Sequence, residues 1–149
     1  MLVEPIDRKR APAVAIDAKF SVPFCVATAL VDGGVGLDSF GADSLRNAAV
    51  LKLAAKVDFE EPEGAAQWRG DAGTIAITLA DGRDLSASLP RARGTPESPL
   101  SEQELLDKFF DCTARAAVPL SAQQAQQLAD RILALESCED VGALIAFAD

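Results

Sequence analysis

"TIAITLADGRDLSASL", Thr74 to Leu89, decides the fold class. Apolar and small or polar residues alternate on both sides of Asp81-Gly82, the pattern of two half-buried strands around a tight turn. The register follows from what each loop length would pair. A two-residue Asp81-Gly82 turn sets Ile77 against Ser86 and Ile75 against Ser88, mixing apolar and polar side chains on one face. A three-residue loop, Ala80-Asp81-Gly82 with a left-handed Gly82, pairs Ile77 with Leu85 and Ile75 with Ala87, and this is the register predicted.

Upstream of the hairpin, "KVDFE", Lys56 to Glu60, points Val57 and Phe59 to one side, which predicts a third strand. Glu61 to Ala72, with Pro62 and the single Trp68, reads as a loop. Asp43 to Ala54 reads as one helix or two short pieces, with Leu45, Ala49 and Leu53 on one face. Further back, "DAKFSVPFCVATALVDGG", Asp17 to Gly34, predicts a helix capped by Ser21, with Pro23 in its first turn and Gly33 or Gly34 ending it. Apolar residues surround that helix, so burial on most faces is expected. Residues 1–16, with Pro5 and Pro12 flanking the basic "DRKR", read as a connector and a solvated linker.

Downstream, "PRARGTPESP", Pro90 to Pro99, is too rich in proline for regular structure. Ser101 with Glu104 spells a capping box, and Leu100 with Leu105 a hydrophobic staple. The helix that starts there has Leu105, Leu106, Phe109 and Phe110 as its core face. Ser121 with Gln124 repeats the box, and Leu128, Ile132 and Leu135 continue a second helix. Ser137 and Asp140 open a third, ending near Phe147. The fold class is therefore α+β: a small antiparallel sheet of about three strands, packed with an N-terminal buried helix and a C-terminal group of amphipathic helices.

The chain has 149 residues, 49% hydrophobic and 25% charged, with a formal net charge of −9. That composition fits one globular domain. Glu97 to Asp149 carries ten acidic and three basic side chains. Nucleic acid is excluded as a partner, because neutralising phosphates requires a basic face. No stretch approaches the roughly 20 apolar residues of a membrane span, and Glu4 and Asp7 interrupt any signal peptide, so a cytoplasmic location is expected. Cys25, Cys112 and Cys138 are far apart, which predicts reduced, mostly buried thiols rather than disulfides or a metal knuckle. No metal and no cofactor are expected; "DGGVG" closes a helix instead of opening one and lacks the spacing of a phosphate loop. There is no histidine. Any proton transfer must use Lys, Asp, Glu or Cys, or be completed by another polypeptide.

Lys19 is the candidate site. It stands just outside a helix N-terminus whose free N–H groups carry partial positive charge, an unfavourable place for a cation unless an anion is near. Lys19 and Ser21 thus form a candidate carboxylate-binding corner. The competing reading pairs Lys19 with Asp17 or another surface acid and lays its stem over Phe20. Arg91 and Arg93 are a second candidate for anion contact, against ordinary loop solvation.

The run "AKFSVPFCVATALVDG" resembles the start of the C-terminal domain of the MmgE/PrpD family, which includes 2-methylcitrate dehydratase, cis-aconitate decarboxylase and an iminodisuccinate epimerase. "LADGR" and "RGTPESPLSEQELLDKF" resemble the same family's hairpin and its entry into a capped helix, so the likeness runs from about Pro12 to Phe147. It implies an α+β lid domain over 17–149 that closes on a cleft for di- or tricarboxylic acids, with Lys19 and Ser21 in the motif facing that cleft. It also implies a large helical domain that this chain lacks, with a separate helical domain or a homo-oligomer as partner. Some members carry a histidine near the position of Phe20; this chain does not.

Overall fold

The structure, a computed structural model, describes residues 2–60 and 73–142. The chain divides into two compact units, Met1–Ala65 and Ala66–Asp149.

In the first unit the stretch read as a connector is folded. It forms α1 (Ile6–Arg10), and α2 (Ala15–Lys19) follows at once. The basic cluster ties this segment down. Arg10 donates from Nε (3.2 Å) and Nη2 (2.8 Å) to the carbonyl of Val57 and pairs with Asp58. Lys9 donates from Nζ to the carbonyl of Phe20 at 2.6 Å.

α3 (Val22–Asp32) begins and ends as its residues dictate. Ser21 Oγ accepts from the Phe24 N–H at 3.1 Å, and Gly33 takes the left-handed conformation (φ 79°) that stops the helix. Its buried residues are Pro23, Phe24, Ala27 and Thr28, one stripe rather than most faces. Phe20 and Val31, near the two ends of α3, are exposed. The stripe meets α4 (Ala48–Ala54), which Asn47 caps through Ala49 N. Ala18, Phe24, Ala27, Val50 and Ala54 form the core, with Phe40, Leu45, Leu51 and Leu53 packed around them. Asp43 to Ala54 is two pieces, a 3₁₀ turn at Ser44–Arg46 and then α4.

The expected third strand does not exist. Lys56 to Glu60 is irregular, because the Val57 carbonyl is taken by Arg10 and the Val57 N–H bonds to Ala54. Two apolar residues at alternate positions do not make a strand without an edge to pair with. Glu61 to Ala72 lies outside the described residues.

The second unit opens with β1 (Gly73–Thr78) and β2 (Asp84–Leu89), an antiparallel pair in the predicted register: Ile77 faces Leu85 and Ile75 faces Ala87. Gly82 is left-handed (φ 84°), and the three-residue loop is closed by Leu79 N–H to the Arg83 carbonyl at 2.8 Å. Pro90 to Pro99 forms turns, with Gly94 N–H to the Ser98 carbonyl at 2.8 Å. α5 (Glu102–Ala114) and α6 (Ala122–Leu133) each start at the predicted capping box. Leu106, Phe109 and Phe110 are half-buried, with the two rings edge to face at 5.7 Å. Leu105, Ile132 and Leu135 stay exposed, and the buried positions of α6 are Ala125 and Ala129. A 3₁₀ turn follows at Leu135–Ser137; the expectation of a third helix ending near Phe147 falls largely on residues 143–149, outside the described residues.

The class is α+β, with two strands among the described residues where about three are expected. Among the described residues no helix is long and apolar enough to cross a membrane.

Candidate functional site

The corner between α2 and α3 carries Lys19 and Ser21. Lys19 is the last residue of α2, and this answers why a lysine stands there. It flanks the N-terminus of α3, but it also ends α2, and the C-terminal end of a helix favours a cation. The repulsion expected from α3 alone is offset, so no anion is required for Lys19 to be tolerated. Its ammonium lies over the Phe40 ring, 5.8 Å from the centroid. Asp17 is paired with Arg8 at 4.0 Å, and no carboxylate is paired with Lys19 among the described residues. The aromatic ring beneath its ammonium is that of Phe40.

Ser21 is 2% exposed, and its hydroxyl is fully used. It accepts from Phe24 N–H and donates its one proton to the Lys9 carbonyl. A hydroxyl has a single proton to give. Its visible work is to cap α3 and join α1 to the corner.

Arg91 and Arg93 lie in the other unit, in the turns after β2. Arg91 Nη1 donates to the Pro90 carbonyl at 3.2 Å. Arg93 forms an ion pair with Glu104, the residue that closes the capping box of α5. Glu104 also accepts from the Ser101 N–H and hydroxyl, both at 2.9 Å. These two hydrogen bonds, and then Arg93, hold its carboxyl below the usual glutamate range. Asp81 is lowered in the same way by the Arg83 N–H first and its guanidinium second.

The thiols do not form a site. All three cysteines are free; Cys112 is exposed and the other two half-buried, less covered than expected. Burial pushes the Cys25 thiol up, away from the reactive thiolate, and its Sγ lies 3.6 Å from the Ala18 carbonyl. No group of acidic or cysteine side chains among the described residues is arranged to hold a metal.

Sequence reasoning missed Lys9 and Phe40. Lys9 stood in a cluster read as solvated, and Phe40 is twenty-one positions from the ammonium it underlies; neither has a local signal.

Residues 2–135 match the MmgE/PrpD C-terminal domain. The chain belongs to the MmgE/PrpD family. The match begins before Pro12 and includes α1. Cis-aconitate decarboxylase of Homo sapiens is 28% identical over 134 residues, which cover 89% of this chain and 27% of that protein. Cis-aconitate decarboxylase of Mus musculus is 27% identical over 129 residues, covering 86% of this chain and 26% of that protein. This MmgE/PrpD domain thus spans about a quarter of the length of those relatives. Lys19, Ser21, Arg91 and Arg93 all fall within the matched residues.

Proposed function

We propose that this chain is the lid-like C-terminal domain of an MmgE/PrpD lyase or isomerase acting on di- or tricarboxylic acids, and that it does not turn over substrate alone. The observation that carries the reading is the exposed Lys19 ammonium, which has no carboxylate partner among the described residues and lies inside the family match. In this reading Lys19 meets a substrate carboxylate; Arg91 and Arg93, in the second unit, are a separate candidate for anion contact. Ser21 contributes through its hold on the corner. The chemistry is loss or movement of a proton beside a carboxylate, with water or carbon dioxide leaving according to the substrate. With no histidine in the sequence, the acid and base for that step come from another polypeptide or from Lys, Asp, Glu or Cys.

NMR titration with cis-aconitate tests the binding half. The reading expects shifts at the amides from Phe20 to Phe24, and shifts confined to other regions contradict it. Incubating the purified chain with cis-aconitate or 2-methylcitrate tests the other half: no turnover is expected, and turnover above background overturns it.

A second reading is favoured by a different observation. Leu85 and Leu89 on β2, and Leu133 and Leu135 at the end of α6, are exposed. Apolar surface of this kind suits a non-catalytic binding or oligomerisation module derived from the same domain. Concentration-dependent self-association without any response to cis-aconitate would select it.

A further inference from the structure

We propose that Lys9 is a positioning residue that sets where the Lys19 ammonium stands. The inference rests on the reading of Lys19 as an anion contact, and it is argued from the turn that joins α2 to α3.

That turn is only Phe20 and Ser21, between the last residue of α2 and the first of α3. Both are gripped by one residue of α1. The Lys9 ammonium donates to the Phe20 carbonyl at 2.6 Å, and no carboxylate is paired with it among the described residues. From its other end, the Lys9 carbonyl accepts the Ser21 hydroxyl proton. Eleven and twelve positions separate the partners, so these are tertiary ties and not local turn geometry. A charge-assisted bond to a carbonyl is stronger than a neutral one, and it also satisfies a carbonyl that the end of α2 leaves open. The second tie is shielded, because Ser21 is buried.

The consequence falls on Lys19. It is the residue immediately before the gripped pair, so the direction of its Cα–Cβ bond is set by how α2 is held against α3. Phe40 then underlies the ammonium, its ring centroid 5.8 Å away. If the Phe20 carbonyl is released, the turn gains freedom and Lys19 leaves the ring. A long flexible side chain held in one place loses less entropy when it meets a ligand, so pre-orientation raises affinity without adding a contact.

The test uses the full chain with its lysine side chains carbon-labelled. Above an aromatic ring, the Lys19 ε-methylene protons are shifted upfield, and Phe40→Leu identifies that signal by removing it. Lys9→Met should collapse the shift, and Lys9→Arg, which still donates to the carbonyl, should restore at least half of it. Lys9→Leu, which also lacks a donor, serves in place of Lys9→Met if the latter does not fold. Calorimetry with cis-aconitate then expects affinity to fall about threefold or more in Lys9→Met and to recover in Lys9→Arg. An unchanged ring shift in a folded Lys9→Met or Lys9→Leu variant overturns the positioning role. If Lys19→Ala binds cis-aconitate as the wild type does, the anion reading fails instead, and the ring shift still decides the place of Lys9.

Discussion

A single lysine shows how far residue-level electrostatics reaches. Charge and spacing select Lys19 from the sequence, since a cation beside the start of a helix is unfavourable. What spacing does not reveal is that a five-residue helix ends on the same residue, and the negative end of its dipole offsets the field. The capping boxes were legible because each is a contact over three positions; the ties of Lys9 and the stacking on Phe40 were not, because both depend on tertiary closure. Glu104 allows a residue-scale prediction. Its folded pKa is depressed, so the stabilisation from its hydrogen bonds is present above the unfolded value and is lost as pH falls through the folded one. The Ser101 amide proton, bonded to Glu104, should therefore titrate with a midpoint below the ordinary glutamate value of about 4.3. Glu104→Gln should abolish that titration while keeping the box, as Gln124 does at the start of α6. A midpoint at or above the ordinary value would contradict the assignment.

Elements form where the local pattern and the available partner agree. The hairpin was legible down to its register, because a one-residue slip would have set isoleucines against serines. Lys56 to Glu60 had the alternation but no partner strand, and an arginine side chain took its carbonyl. α3 was expected to be buried on most sides, yet a single stripe touches α4. Apolar content told that faces were available for burial, not which ones the chain would cover. The core of the first unit depends on Phe24, which is 0% exposed. Phe24→Ala should cost about 3–5 kcal/mol, because the space left among Ala18, Val50 and Ala54 is lined by small residues that cannot fill it. A circular dichroism melt checks this; a loss under about 1 kcal/mol would mean that the α3–α4 contact does not hold the unit together.

For the whole molecule, the dominant property is the amount of apolar side chain facing solvent. In the first unit Ile16, Phe20, Leu30 and Val31 are exposed; in the second, Leu85, Leu89, Leu105 and Leu133 are. Isolated apolar residues are ordinary on a surface, but two units each carrying several invite association. Sedimentation should show mass rising with concentration, and binding of an apolar dye should fall as it rises. A monomer at all concentrations that binds no dye would speak against both functional readings. The sequence carried the family motifs and the class of the fold, while the division into two units depends on contacts far apart in the chain.

Calorimetric titration of cis-aconitate into wild type and Lys19→Ala, at matched ionic strength, asks most directly whether the α2–α3 corner receives a carboxylate. A charge-assisted contact is worth about 1.5–3 kcal/mol. The account predicts saturable heat for the wild type and an affinity lower by about tenfold or more for the variant; equal heats from the two proteins would contradict it.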